Sequence, residues 1–453
     1  MIRGPTPDRL GPVSLHGSSV VIRPPRPGDH PHWRRLRMRD RALIEPFWYS
    51  SPLEWAARHT ERQWIREYLV GRAEARAGRR LPGVIEIDGR FAGQCELCSF
   101  DSRRGTAEMS IWIDSRVARH GFAGLAAGLV LDHGFGMLGL NRVIAPISPG
   151  NVAAAHGAAE LGFVREALLT RYFDAGGARR DHELWALTRE DVPPGGFAAA
   201  WLRRVEGART EGTSGPSAGP PRYPTMVRGS AETVDVSAER QGVAGGRLAT
   251  ATLLAGISAR LAAGWLRRRR RVLRGGRPVR LELADYPGAV LRTRRPSDRP
   301  GWVAARRRNP EYFAGARTTW RRELARGRGG LHAPAGLVLV LDVDGSYAGE
   351  ARLFDVDMFD RNARMLVWAD TAHADGGLRA AATRTLLAHA FGTLGLFRVA
   401  TEFECADTES AAVAARAGLL KEGIMRNYPG RTGRRADHAL WALTVAPPNE
   451  ERP

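Results

Sequence analysis

Lysine is almost missing from this chain: Lys421 stands alone among 68 basic residues, which face 48 acidic ones. The net charge of +20 is therefore an arginine charge. A GC-rich coding sequence produces that bias without selection for an anionic partner. The excess is also uneven. Between Val192 and Arg280, sixteen Arg face five acids, so more than half of it sits in a connecting segment and does not define the folded domains. Cysteine is scarce too, with Cys95, Cys98 and Cys405 only, which excludes a disulfide framework. No apolar run approaches the roughly 18–20 residues of a membrane span, and Met1–Leu15 has no apolar stretch of the secretory kind. The expectation is a reduced, cytoplasmic protein that is not transmembrane.

Cys95-x-x-Cys98 has metal-ligand spacing. It falls, however, in an alternating run, Phe91–Phe100, that reads as a strand, where residues three apart face opposite sides. With no second Cys or His pair nearby, the expectation is two structural cysteines and no metal.

The chain repeats itself. Asp88-Gly89 recurs as Asp344-Gly345, a spacing of 256 that also relates Trp112 to Trp368 and Leu138-Gly139-Leu140 to Leu394-Gly395-Leu396. It further relates Tyr172 to Tyr428 and Asp181-His182 to Asp437-His438. About a hundred residues keep one offset without a gap, which reads as two copies of one domain. The expected organisation is a first domain over 14–191, a linker over 192–279 and a second domain over 280–446.

Within a copy the pattern gives a strand (Ser19–Arg23), helical stretches (Pro31–Asp40, Leu53–Ala77) and a hairpin turning at Asp88-Gly89. A strand (Ala107–Asp114), a helix (Phe122–Met137), a strand (Arg142–Ser148), a helix (Val152–Glu160) and two closing strands follow. Strand–helix–strand implies one parallel pair among antiparallel neighbours, so the fold class is α/β with a mixed α+β sheet. The linker's Gly, Pro, Ser and Thr predict disorder from Val192 to about Thr250. Residues 253–271 allow an amphipathic helix ending in Arg267–Arg271. It either packs or connects, or it lies on an RNA or anionic membrane surface with its arginines on phosphates.

Chemistry points to the loop Arg116-Val117-Ala118-Arg119-His120-Gly121, which runs from a strand into a helix starting Phe122-Ala123. Unpaired amides at the positive end of a helix dipole bind phosphate. Around the loop stand Ile111-Trp112-Ile113-Asp114 before it and His133-x-Phe135-Gly136-x-Leu138-Gly139-Leu140-x-Arg142-Val143 after it. Asn151, Leu161-Gly162-Phe163, and Tyr172 followed by Arg180-Asp181-His182 come farther on, with Ile22-Arg23-Pro24 and Gly28-Asp29 upstream. In order and spacing this set resembles the GNAT N-acetyltransferases, specifically the RimJ/RimL group that acetylates N-termini of ribosomal proteins, here as a tandem duplication.

The resemblance implies acetyl-CoA as substrate, its pyrophosphate on the amides of Arg119, His120, Gly121, Phe122 and Ala123 with Arg116 nearby. It places the thioester against a bulged strand near Ser110, Ile111 and Ile113, where an N–H meets the developing oxyanion. Asn151 would bond the pantetheine region. Glu108, on the face of Ser110, is the candidate base acting through water, with an exposed structural Glu as the competing reading. The family's thiolate-protonating Ser is Ala154 here, which leaves His156 or Tyr172 as substitutes. Arg119 occupies the place of the family's first loop Gly, at a cost in turn freedom. Asp181 and His182, adjacent on a strand, face opposite sides and read as structural.

In the second copy the loop reads Ala372-His373-Ala374-Asp375-Gly376-Gly377, with Asp407 for Asn151 and Arg364 for Glu108. Asp375 beside a pyrophosphate repels by about 1–4 kcal/mol, so the second copy is expected to be impaired for CoA. Three functions follow. The first is acetylation of a protein N-terminus in a ternary complex. The second is acetylation of a small amine or antibiotic, and the third is a non-catalytic basic scaffold on ribosome, RNA or membrane.

Overall fold

A computed structural model describes residues 9–101, 104–211, 252–264, 278–310, 319–328, 336–373, 376–430 and 434–446. Packing divides the chain into two compact units. One comprises Met1–Arg165, Ala175–Ala178 and Leu184–Ala262; the other comprises Glu166–Asp174, Arg179–Glu183 and Ala263–Pro453.

The first half contributes strands β1 (Leu10–Leu15), β2 (Ser18–Arg23), β3 (Val84–Ile87), β4 (Arg90–Asp101), β5 (Thr106–Ile113), β6 (Arg142–Ile147), β7 (Val164–Ala175) and β8 (Ala178–Thr188). They lie in the order β1-β2-β3-β4-β5-β6-β8-β7. Pairing is antiparallel from β1 to β5 and parallel between β5 and β6, the mixed sheet expected from the element order. Asp88 (φ 48°) and Gly89 (φ 76°) both take the left-handed conformation that a two-residue hairpin turn demands.

Strand alternation sorts the two faces of the sheet. Cys95, Leu97, Ala107 and Met109 pack with Leu125, Val130 and Leu131 of α3 (Phe122–Gly136). On the other face α1 (His30–Arg39) and α2 (Glu61–Arg76) bring Trp33, Leu36, Trp64 and Ile65 onto Val84, Phe91 and Trp112. Burying four such side chains supplies roughly 1.5–3 kcal/mol each. Thr60 caps α2, its Oγ1 accepting from Gln63 N at 3.3 Å. Cys95 and Cys98 fall on opposite faces, opposite Ile111 and Glu108, and burial pushes both thiols well above their ordinary range.

A buried clamp explains the Arg23…Asp29 motif. The Arg23 guanidinium donates to Asp29 Oδ1 and Oδ2 at 2.8 and 3.0 Å and to Glu86 Oε2 at 2.5 Å, tying β2, the helical entry and β3 together. Arg292 repeats it with Asp298 (2.7 and 3.0 Å) and Asp342 (2.6 Å).

The segment expected to be a linker is ordered at both ends. After α4 (Val152–Glu160), α5 (Phe197–Glu211) packs on α3, with Phe197 and Trp201 buried and Asp132 accepting from the amides of Phe197 and Ala198 at 2.6 and 3.1 Å. The expected amphipathic helix spans 252–264 as α6. It turns Leu254, Ile257 and Leu261 into the α1–α2 cluster, so its apolar face serves packing and not an anionic surface. Arg267–Arg271 and residues 212–251 lie outside the described residues.

The second half builds β9 (Arg280–Glu282), β10 (Ala289–Thr293), β11 (Leu337–Val343), β12 (Ser346–Asp357), β13 (Asn362–Ala369), β14 (Arg398–Glu404), β15 (Leu420–Pro429) and β16 (Arg435–Thr444). Their order, β9-β10-β11-β12-β13-β14-β16-β15, repeats that of the first eight. Helices α7 (Arg299–Arg308), α8 (Trp320–Arg328), α9 (Gly376–Ala388) and α10 (Thr408–Arg416) accompany them. Gly93 (φ 158°) and Gly349 (φ 153°) mark the likeness: a Cβ would lie 2.3 Å from Trp112 O in one and 2.2 Å from Trp368 O in the other.

Candidate active site

Parallel pairing of β5 with β6 covers three positions, Thr106 with Arg142, Ala107 with Val143 and Glu108 with Ile144, and then stops. Both strands run on, β5 to Ile113 and β6 to Ile147, so they part and leave an opening in the sheet. Backbone groups along parted edges need partners. Ser110 is half-buried there, Ile113 likewise, and Ile111 is 37% exposed.

Asp114, buried at the end of β5, starts the loop. Its Oδ1 accepts from Arg116 N at 2.8 Å, its carbonyl accepts from Val117 N and Ala118 N at 3.1 and 3.0 Å, and Arg39 pairs with its carboxylate. Arg119 then takes φ 65° and Gly121 takes φ 81° as the cap of α3. The left-handed turn that glycine serves elsewhere is thus made by an arginine, at a cost on the order of 1–2 kcal/mol. Arg116 and Arg119 are exposed, His120 and Ala123 are partly exposed, and Phe122 is buried.

Two elements hold this turn from behind. Trp201 of α5 donates from Nε1 to Gly121 O at 2.8 Å, and its ring covers Gly124, where a Cβ would be 2.0 Å away. His16 Nε2 lies 3.2 Å from His120 O. Among the described residues, the amides of 119–124 meet no acceptor. The helix end is buttressed on its back and open at its amides, as an anion site requires.

Asn151 caps α4, its Oδ1 accepting from Ala154 N at 3.2 Å, and its side-chain NH2 has no partner among the described residues. Glu108 is half-buried and shares its sheet face with Ser110, Trp112, Gln94 and Glu96.

Three expectations are corrected. The bulge lies in β4 between Cys98 and Asp101, where Ser99 has φ 54°, while β5 keeps its register with β4 from Glu108 to Ile113. His156 faces solvent, 73% exposed and 3.4 Å from Glu160 on its own helix, because α4 turns its Ala side inward. Tyr172 belongs to the second compact unit, where its ring lies 5.4 Å from the Arg398 guanidinium. Asp181 and His182 hold backbone: Asp181 Oδ1 accepts from Arg171 N at 2.8 Å, and His182 Nδ1 lies 3.1 Å from Arg180 O. Burial lowers the His182 pKa.

Sequence reasoning missed a polar cluster above the β4–β5 face. Arg80 binds Glu96 bidentately at 2.7–3.0 Å, Gln63 Nε2 donates to Glu67 at 3.1 Å, and Trp112 Nε1 donates to Gln94 at 3.0 Å. Arg37 is sandwiched between Trp48 and Trp112, 3.8 and 4.1 Å from their ring centres. The parity shared with Glu108 and Ser110 marks Gln94, Glu96 and Trp112 in the sequence. Nothing local marks Arg37.

Comparison with known proteins agrees with this geometry. The acetyltransferase (GNAT) domain family matches residues 19–164. A putative ribosomal N-acetyltransferase, YdaF of Bacillus subtilis, is 35% identical over 124 residues, 27% of this chain. The chain spans 64% of that relative's length. The spermidine N(1)-acetyltransferase of Escherichia coli is 28% identical over 163 residues, 36% of this chain and 82% of its own. The solved structure of Mycobacterium smegmatis RimJ with CoA-disulfide is 36% identical, covers 45% of this chain and 96% of its own, and superposes with a TM-score of 0.42. Residues 19–164 of this chain thus match a GNAT acetyltransferase domain.

Proposed function

We propose that the first domain transfers acetyl from acetyl-CoA to a primary amine, and that the acceptor is a protein N-terminus. One observation carries the reading: β5 and β6 part beside a helix whose first amides are open and flanked by Arg116 and Arg119. The pyrophosphate rests on the amides of 119–123, and Asn151 offers its free NH2 to the pantetheine arm. The thioester carbonyl lies along β5 at Ser110–Ile111, beyond the last pairing with β6, where a backbone N–H takes the charge that develops on oxygen. The amine nitrogen attacks that carbon, forming the C–N bond as the C–S bond breaks. Glu108, through water, accepts the proton the amine sheds, and the thiolate leaves to take a proton from solvent. Similarity to a ribosomal N-acetyltransferase supports the peptide acceptor. The spermidine-acetylating relative, together with two carboxylates on one sheet face (Glu96, Glu108) and Glu67 on α2, favours a second reading in which the acceptor is a polyamine.

We further propose that the second half is a diverged copy without a cofactor site. Its β13–β14 pairing has the same three steps, Asn362 with Arg398 to Arg364 with Ala400. Its opening, however, is crossed by Arg379, which donates to Glu409 at 2.8 Å and to Ser410 at 2.9 Å. Thiol release from acetyl-CoA, measured on the full chain with a tripeptide amide and with spermidine, tests the activity. No release with any primary amine refutes it.

A further inference from the structure

Among the described residues, Arg37 alone has two buried guanidinium nitrogens without a partner. It is 1% exposed, yet its Nε and Nη1 are sealed from solvent without a hydrogen-bond partner. Nη2 has no partner among the described residues either. The carboxylates that could answer it are committed elsewhere, Glu96 to Arg80 and Glu67 to Gln63. Indole faces on both sides compensate part of the lost hydration, because a cation is attracted to the ring quadrupole. They supply no lone pairs, so the donors stay unmet and their desolvation uncompensated. Burial lowers this guanidinium to about 9, which still leaves it charged at neutral pH. Native structures rarely keep such a group without a use for it.

Its place gives the use. Trp112, one wall of the sandwich, stands two residues from Ser110 on the same face of β5, about 7 Å along the strand. That separation matches the reach from a peptide's α-amine to the carbonyl oxygens of its first two residues, with the amine at Ser110 and Glu108. The other wall, Trp48, is half-exposed on an irregular segment. We propose that Arg37 is the acceptor-binding cation of this site, donating from Nη2, the terminal nitrogen that is not sealed, to a backbone carbonyl oxygen of a peptide N-terminus, and that it selects peptides over polyamines. A polyamine offers no oxygen to Arg37 and brings a second positive charge toward it. The inference rests on the transferase reading and names the substrate class of that same site.

The test compares wild type, Arg37→Met and Arg37→Lys on an alanine tripeptide amide and on spermidine, by thiol release, with acetyl-CoA affinity measured by calorimetry. Wild type should prefer the tripeptide. Arg37→Met should lower kcat/KM for the tripeptide about tenfold or more, mainly through KM, while acetyl-CoA affinity stays within about twofold. Spermidine turnover should not fall. Arg37→Lys keeps the charge and the packing stem but loses the planar fork; it should lose part of the tripeptide activity, and it answers the question if the Met variant fails to fold. Equal losses on both acceptors, an unchanged tripeptide KM in the variants, or a wild-type preference for spermidine would overturn the assignment while leaving the transferase intact. Turnover of neither acceptor by wild type that binds acetyl-CoA would sink the transferase reading itself.

Discussion

Placing a carboxylate at Gly121 should remove acetyl-CoA binding, and the cause can be separated from bulk. Gly121 sits at φ 81°, and a Cβ there meets Val205 Cγ2 at 3.2 Å and Trp201 Nε1 at 3.5 Å, close but yielding. Asp and Asn both tolerate the left-handed region better than most residues, so Gly121→Asp and Gly121→Asn impose nearly the same backbone and steric cost. They differ by one charge. A carboxylate about 4–5 Å from a phosphate charge, at an effective dielectric near 20, repels it by roughly 3–4 kcal/mol, a factor of about 10²–10³ in affinity. Calorimetric titration of both variants, with melting curves to show that both are folded, reads the difference. Equal affinities for Asp and Asn would mean that no anion rests on this helix end, and the cofactor placement would be wrong.

Glu108→Gln should lower kcat by about 10²–10⁴ with acetyl-CoA affinity unchanged; an unchanged kcat returns Glu108 to a structural role. Titration of the full chain should give one acetyl-CoA per chain, and a stoichiometry of two refutes the closed second cleft. Asp360 is raised to about 7 by burial, with Asp357 adding to it, above its ordinary 3.8. The folded chain therefore holds a proton that the unfolded chain releases, so this group's favourable contribution is complete below about pH 3.8 and is lost as pH rises through 7. Asp360→Asn should raise Tm at pH 8 and change it little at pH 4. A Tm difference of the same size at both values would show that ionisation of this group is not the cause.

Local chemistry was the legible part of this molecule. Asp88-Gly89 specifies its turn because two successive left-handed residues have few solutions. The 256-residue spacing survives as identical three-step parallel registers, Thr106/Arg142 and Asn362/Arg398. The Arg23…Asp29 motif proved to be a buried clamp. Contacts set by tertiary packing were hidden. Helix α5 follows Pro193-Pro194-Gly195-Gly196, a composition that reads as linker, and its signal was the four-residue spacing of Phe197 and Trp201. The bulge was misplaced by one strand because a register shift depends on both partners. Arg37 carries no sequence mark at all, since its importance comes from Trp48 and Trp112, eleven and seventy-five positions away.

On the reading proposed above, the second half is a cofactor cleft whose small residues were replaced together. At positions equivalent to Ala123, Ala153 and Ala154 stand Arg379, Glu409 and Ser410. Arg379 is buried and donates to both of the others, and the Ser410 hydroxyl is further committed to Asp407 Oδ2 at 2.7 Å. The proton donor that the first copy lacks is therefore present in the second but already bonded. Arg364, at the position of Glu108, reaches Glu402, Asp355 and the Tyr428 hydroxyl, so the site of a base is held by a cation in its own network. Arg379 is the buried member of the set and needs its acceptors, whereas Glu409, its side chain 67% exposed, is solvated without it. Reopening this cleft therefore turns on replacing Arg379.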